Sequence, residues 1–539
     1  MISKMRMMSE ERLNRPELII GLVRPLGIPL DKIEAEIQYQ LGRFGYVVET
    51  IVISALLQHS THWIAEPDKT ERDRVEHQQR HALALRKDGG AEVLARAAIA
   101  EIRRRRMSKS MNPNVLAGSV AYLLYDLKHP SEIATLRNVY GSSFVVIAPH
   151  APETSRIEWL AKSMAVHADR TEPDATMLND AQALVVNDDK QQQLESGFER
   201  LGQSTRDTHP LADYFVDASN GGEVSLSRFF DLLFANPTIS PTYGEIAMNQ
   251  AYAVSLRSSD ERRQVGAVIV RTFAEKAHGF EKDSAIIASG ANEVPRRGGG
   301  YYWEGDSPDC RDQSMKQQNQ GKDVEAGIKL DAAREIVGLM KKSGWLASKF
   351  ELEDDVPLGA RLFDLLKDTQ FGNISEFMRQ VHAEMAAIVD AAIRGVPLRG
   401  TEMYVTTFPC HGCAKHIIAA GLRRVVYLEP YPKSRATMLH GDEMVVDDYD
   451  PNPRGDYKVQ FVPFSGVAPR QFARFFSMRT RGWKNARGLD KWRDDLEKLE
   501  PVGVVPRADL SYTALECEEE RKLPASYQWE MERSHTPPT

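Results

Sequence analysis

Four cysteines in 539 residues are too few for a disulfide framework and point to a reducing compartment. Two of them, Cys310 and Cys517, find no partner in the sequence and read as plain thiols. No apolar run approaches the roughly 20 residues of a membrane span. Residues 1–15 are charged and lack the apolar core of a signal peptide, so the expectation is a cytoplasmic protein with no membrane association. Positive charge is not in excess either. The net charge of −7 removes any general reason to expect nucleic-acid binding, although a local basic patch is compatible with an acidic sum. What remains is the composition of a soluble globular protein, 42% hydrophobic and 27% charged, at a length that predicts two or three domains.

A complete phosphate-binding loop is also missing. The apolar run 17–23 is followed by Arg24-Pro25-Leu26-Gly27-Ile28-Pro29-Leu30-Asp31, an amphipathic helix to about Leu41 and a strand at 46–53. This is the opening of a βαβ unit, and the loop sits where a P-loop would. Aligned on Gly-x-x-x-x-Gly-Lys-Ser/Thr, Arg24 stands at the first glycine, Pro29 at the second, Leu30 at the lysine and Asp31 at the hydroxyl. Leucine brings no charge to a phosphate, and aspartate repels one. ATP hydrolysis is therefore not expected. The expectation is a kinase-like fold kept as a scaffold or as a regulatory nucleotide pocket, with Arg24 and Gly27 placed for a nucleotide.

Residues 61–106 read as polar and helical. The basic run Arg103-Arg104-Arg105-Arg106 fits a solvated helix face better than a phosphate lid or an RNA patch. Strands are expected at 121–127, 143–148, 181–186 and 215–216. The amphipathic stretch 224–236 joins two domains or packs between them, and Pro237 and Pro241 mark the boundary. Two further strands, 262–270 and 285–290, precede a long insertion at about 296–376, which suits an active-site lid or an oligomer contact. The last forty or so residues are charged and contain proline, so partial disorder is expected.

The chain is organised around 381–429. Helix, strand, helix and strand follow one another there, with His382-Ala383-Glu384 at the start of the first helix and Pro409-Cys410-His411-Gly412-Cys413 at the start of the second. His382, Cys410 and Cys413 make a three-ligand zinc site with a fourth position left for water, the arrangement of catalytic zinc. A helix N-terminus favours the thiolate form that binds metal. Glu384 is not needed as a ligand and can face the bound water, whose pKa zinc lowers to about 7. There it can act as the proton carrier. The competing readings are a zinc-ribbon knuckle, which needs a second Cys or His pair that is not evident, and a redox Cys-x-x-Cys, which needs neither His-x-Glu nor the proline.

The His-x-Glu and Pro-Cys-x-x-Cys pair resembles the signature of zinc nucleobase deaminases. The second half resembles deoxycytidylate deaminases through Arg257-Ser258, Arg263-Gln264-Val265-Gly266-Ala267 and Gly290-Ala291-Asn292. Over roughly 16–480 the chain resembles the bacterial two-domain antiviral deoxycytidine-nucleotide deaminases. The residues carrying that likeness are Asp126-Leu127-Lys128-His129-Pro130-Ser131-Glu132, Leu136-Arg137-Asn138-Val139-Tyr140-Gly141, and the junction from Arg228-Phe229-Phe230 through Asn236-Pro237 to Pro241-Thr242.

The resemblance implies an α/β protein. A P-loop-kinase-like parallel-sheet domain is expected at 1–225, a cytidine-deaminase-like α/β/α domain at 226–500, and a charged tail at 501–539. It implies zinc as cofactor, dCTP or dCMP as substrate and depletion of the dCTP pool in antiphage defence. It further implies a homo-oligomer, control by a deoxynucleoside triphosphate and a companion small RNA as antitoxin. Asn292 is the residue expected to reach the nucleotide sugar. On the loop after the last strand of the motif, Tyr431 is placed to stack on a base and Lys433 to meet a phosphate. The alternatives are a polynucleotide deaminase, for which only the arginine run speaks, and a nucleotide-sensing effector with the deaminase as its output.

Overall fold

The computed structural model describes residues 15–528, apart from 66–69, 117, 190–199, 220–221, 275–280, 313–323, 352, 368, 370, 373, 375–376, 432, 448–457, 480–491, 494–495 and 504–510. The protein is mixed α/β, with two sheets rich in parallel pairs. It divides into two compact units, Met1–Glu245 with Phe464–Thr539, and Ile246–Pro463.

In the first unit, β1 (Leu18–Leu22) reads LIIGL and every residue is buried, as a parallel strand covered on both faces requires. It is joined by β2 (Val47–Val52), β3 (Val120–Tyr125), β4 (Phe144–His150) and β5 (Tyr214–Asp217) in the order β2-β3-β1-β4-β5, all parallel. Helices α1 (Asp31–Arg43), α2 (Glu71–Gly89), α3 (Val93–Ser110), α4 (Pro130–Tyr140), α5 (Glu153–His167) and α6 (Ala175–Asp189) fall between the strands. The stretch 181–186, expected as a strand, is the middle of α6. Its buried Ala181, Leu184, Val185 and Asp188 recur at helical spacing, and a short apolar run does not separate the two alternatives by itself.

The segment Lys128-His129-Pro130-Ser131-Glu132 turns out to be a helix cap. His129 Nδ1 accepts from Ser131 N at 3.1 Å, Glu132 accepts from His129 N at 3.1 Å, and Pro130 opens the helix, where its missing N–H costs nothing. Glu132 is fully buried and also accepts from Arg86 at 2.7 Å.

The arginine run is a solvated face only at Arg104 and, in part, Arg105, while Arg103 and Arg106 are buried. On α3, Arg103 reaches Glu520, Arg104 and Arg105 reach Glu101, and the fully buried Arg106 reaches Glu17 and Glu516. The one feature favouring a polynucleotide substrate is thus engaged by the chain's own carboxylates. Helix α7 (Gly222–Leu233) buries Leu226, Phe229, Phe230, Leu232 and Leu233 in the same core as β1, so it belongs to the first unit and does not join two domains.

Helix α8 (Tyr243–Ser255) leads into the second unit. Its sheet is built from β6 (Gly266–Ala274), β7 (Glu281–Ala291), β8 (Glu402–Thr407), β9 (Arg424–Glu429), β10 (Met444–Val446) and β11 (Val459–Pro463), in the order β10-β11-β9-β8-β6-β7. Strand β6 runs antiparallel to β7 and β8, and the remaining pairs are parallel. The insertion is not a structureless loop: it contains α9 (Val324–Lys342) and α10 (Asp355–Leu366). Helices α11 (Ala383–Ile393) and α12 (His411–Ala419) follow.

The chain then returns to the first unit. Strand β12 (Gly466–Val467) pairs antiparallel with β5, and Phe475 and Trp492 enter the core around β1. Gly466, Val467, Phe475 and Trp492 therefore pack with the first sheet, not with the second as expected. Part of the tail is ordered as well, since α13 (Ser511–Arg521) buries Glu516 completely; residues 504–510 and 529–539 lie outside the described residues. No described helix is long and apolar enough to cross a membrane.

At the end of β4, buried His150 places Nε2 2.8 Å from Ser465 Oγ. Burial pushes its pKa down to about 4. His209 is pushed down to about 3, by burial first and then by repulsion from His150. An unfolded histidine titrates near pH ~6.5. Between about pH 6.5 and 4 the unfolded chain therefore binds protons that the folded chain refuses, and stability falls with pH. Going from pH ~7 to ~4.5, the first unit is expected to lose on the order of 2–3 kcal/mol through His150 alone. Urea midpoints at the two pH values check this. An equal loss in His150→Gln would show that His150 is not its source.

Candidate functional site

The second unit places two helix starts side by side. In β7, a Cβ on Gly290 would lie 2.4 Å from Ala383 O and from Ala387 N. A glycine there is what lets the start of α11 rest directly on the strand. His382 is the N-cap residue of α11 and Glu384 stands in its first turn. Strand β8, wholly buried, delivers the chain to Cys410, the N-cap of α12. The Cys410 sulfur accepts from Cys413 N at 3.4 Å, taking the role an aspartate or serine oxygen usually plays.

His382 Nδ1 lies 3.4 Å from Cys410 Sγ and 3.4 Å from Cys413 Sγ. The donor atoms of the three residues all fall within 4.8 Å of one another, the one such cluster among the described residues. A tetrahedral ion with bonds of ~2.3 Å to sulfur and ~2.0 Å to nitrogen sets those ligands roughly 3.6 Å apart. One imidazole and two thiols at these separations therefore fit zinc, and they leave a fourth position for water or substrate. Glu384 is buried beside the cluster.

The electrostatics are those of a desolvated, mutually coupled group. Burial pushes the Glu384 carboxyl up to about 7, with His382 pulling the other way. His382 is pushed up to about 9, first by its hydrogen bond with Cys410 and further by the charges of Glu384, Cys410 and Asp260. Cys410 is drawn down to about 3, chiefly by the hydrogen bond it receives from Cys413. As the donor of that bond, Cys413 is pushed well up.

The loop after β9 lies against this cluster. Ser434 Oγ donates to Pro409 O at 2.8 Å. Tyr431 is half-buried, its pKa raised by burial and by the negative charge of Cys410, and Lys433 is exposed on the same loop. Asn292 is buried, and the chain itself uses its amide. Oδ1 accepts from Val265 N at 2.7 Å, and Nδ2 donates to Asp260 at 3.1 Å and to Arg263 O at 2.8 Å. Through these bonds Asn292 shapes the loop 258–265. Sequence reasoning gave no role to Asp260, Glu293 or Thr406, which hold this loop. Ser259 beside Asp260 was the available signal, because Ser and Asp so placed favour turns.

Arg24 and Gly27 belong to the first unit. Arg24 donates to Asp126 at 3.0 and 2.6 Å and to Ile28 O at 2.6 Å. Gly27 has φ +95°, and a Cβ there would lie 2.3 Å from Arg156 O, so only glycine fits. The N–H of Leu26 donates to Asp188 at 2.8 Å, and Lys128 is 2.9 Å from the same carboxylate. An aspartate of the chain thus answers an N–H group of the kind that binds phosphate in a P-loop.

Residues 242–429 match the family model described as the cytidine and deoxycytidylate deaminase zinc-binding region. The ComE operon protein 2 of Bacillus subtilis (strain 168) is 51% identical over 53 residues, 10% of this chain and 28% of that protein. Deoxycytidylate deaminase of Enterobacteria phage T2 is 45% identical over 56 residues, 10% of this chain and 30% of that one. Deoxycytidylate deaminase of Homo sapiens is 30% identical over 99 residues, 18% of this chain and 49% of that one. The chain thus spans between 28% and 49% of the length of these relatives.

Proposed function

We propose that the second unit hydrolyses the exocyclic amine of a deoxycytidine nucleotide, dCMP or dCTP, giving the deoxyuridine nucleotide and ammonia. The observation that carries this reading is the meeting of His382, Cys410 and Cys413 around a common point, with buried Glu384 beside them and outside the ligand set. The zinc-binding family match over 242–429 and the deoxycytidylate deaminases among the similar proteins support it.

His382 Nδ1 and the two sulfurs would hold the metal. Zinc bound there supplies Lewis acidity and brings a coordinated water to a pKa of about 7. Glu384 takes a proton from the attacking water and delivers it to N3 of the pyrimidine; it then takes the proton of the hydroxyl now on C4 and passes it to the amine, so that C4=O forms as the C4–N bond breaks and ammonia leaves. Its burial keeps the carboxyl dry and near neutrality in affinity for the proton. Tyr431 covers the base, Lys433 meets the phosphate, and Asn292 acts by shaping the loop 258–265.

The first unit is read as a P-loop-kinase-like sheet retained as a scaffold or nucleotide sensor; its parallel order and the loop after β1 support this. Control by a deoxynucleoside triphosphate, silencing by a companion small RNA, assembly into a homo-oligomer and dCTP depletion in antiphage defence complete the proposal.

The test is zinc content together with product analysis on dCMP, dCDP, dCTP, cytidine and a short single-stranded oligonucleotide. One zinc per chain and a uracil product from one free deoxynucleotide are expected. Cysteine-to-serine replacement at Cys413 is expected to lower zinc below about a tenth per chain and to remove turnover with it, since a three-ligand site tolerates no loss. Absence of both zinc and product in the native protein would sink the reading.

A further inference from the structure

The loop 258–265 connects α8 to β6 and hangs beside the metal-side ends of β8 and β9. Gly266 N donates to Thr406 Oγ1 at 3.1 Å. Arg263 comes within 3.8 Å of the Glu429 carboxylate. Phe408 N donates to Glu429 O at 2.7 Å, just before the chain reaches Cys410. On its inner side the loop is fixed by Asn292, as described, and by buried Glu293, which accepts from Ser259 N and Oγ, both at 2.9 Å.

A second hold comes from the insertion. Arg262 Nη1 donates to Glu325 Oε2 at 2.6 Å. Glu325 lies in the first turn of α9, and its other oxygen accepts from Lys329 Nζ at 2.7 Å. Lys329 also donates to Gly372 O at 2.8 Å, near the far end of the insertion. The side chains of Glu325 and Lys329 are only 9% and 7% exposed, whereas that of Arg262 is 54% exposed. Burying a carboxylate and an ammonium costs stability unless each is paired. The insertion carries that cost and presents the carboxylate to a loop arginine.

We infer that Glu325 is a positioning residue. Through it the insertion 296–376 fixes the loop 258–265 against the metal cluster, and this sets nucleotide affinity without entering the chemical step. The inference rests on the reading of the second unit as a nucleotide deaminase. Arg262 reaches the insertion, while the loop it belongs to carries Asp260, whose charge His382 feels, and Arg263, 3.8 Å from the Glu429 carboxylate at the end of β9. When a binding-competent loop is only fractionally populated, the apparent dissociation constant rises by the reciprocal of that fraction. Releasing Arg262 so that the loop is competent about a tenth of the time therefore raises KM about tenfold and leaves kcat alone.

The experiment compares Arg262→Ala, Arg262→Lys and Glu325→Gln with the native full-length protein, zinc-loaded, by amide hydrogen exchange and by steady-state kinetics on dCMP and dCTP. The amides of Ser259 and Val265 are expected to exchange about tenfold faster in R262A and E325Q, with α11 and α12 unchanged and R262K close to native. KM is expected to rise about tenfold, with kcat within about twofold. Loop exchange within about twofold of native, or acceleration spread evenly over the second unit, would overturn the inference. A fall in kcat at constant KM would do the same. If the native protein turns over none of the nucleotides, the deaminase reading fails, and the exchange data still decide whether Glu325 positions the loop.

Discussion

Glu384→Gln is expected to reduce turnover by about three orders of magnitude and to leave one zinc per chain, within the range for loss of a positioned proton carrier, ~10²–10⁴. The substitution keeps the volume and the hydrogen-bonding reach of the side chain. It removes only the ability to hold and release a proton. Glu384 is 4% exposed and surrounded by the cluster and the start of α11, so no solvent-borne base replaces it at the same point. Retention of zinc is the half of the result that separates this role from a ligand role, because His382, Cys410 and Cys413 complete the set without it. Metal analysis and uracil-nucleotide formation on one preparation measure both halves. Turnover within about tenfold of native would remove Glu384 from the proton path, and loss of zinc would make it a ligand.

That site was legible because its signals are local. His-x-Glu and Cys-x-x-Cys each lie within one helical turn, at the starts of two helices. The helix, strand, helix and strand around the motif follow from periodicity in the same way, and α11, β8, α12 and β9 stand where the pattern puts them. The loop 258–265 was not legible, because its meaning depends on Asn292 and Glu293, which come to it from beyond a full strand pair. The same blindness explains the first unit. A run of arginines states its charge but not its partners, and the carboxylates that meet Arg106 come from the two ends of the chain, Glu17 before β1 and Glu516 on α13. It also explains the tail: its composition resembles a solvated segment, but Glu516 and Tyr512 are buried. The strands of the first sheet were readable in outline from buried apolar runs, but their order was not, and the reading failed at 181–186, where a three-residue apolar core fits either period.

Removing the Arg106 guanidinium is expected to cost the first unit about 3–5 kcal/mol, the penalty typical of breaking a buried charge network at one partner. Arg106 donates to Glu17 at 2.9 and 2.6 Å and to Glu516 at 2.6 and 2.9 Å, and Tyr512 adds a hydrogen bond to Glu17 at 2.9 Å. All three charged side chains are fully buried. Burial opposes the charge on Arg106, but the two carboxylates outweigh it and hold the guanidinium protonated. Burial likewise pushes Glu516 up, with Arg106 as the main opposing influence. In Arg106→Met the apolar packing survives and the two carboxylates are left facing each other without a cation. Replacing all three together, as Arg106→Met with Glu17→Gln and Glu516→Gln, removes the stranded charge and is expected to recover most of the loss, because a neutral, well-packed substitute for a buried ion network is often close to neutral in stability. Calorimetry of the single and triple variants measures the two effects. A single-variant loss below about 1 kcal/mol would mean that the network contributes no more than an exposed ion pair. A triple variant as unstable as the single would place the energy in the packing of α13, since the charges would then have no part in it.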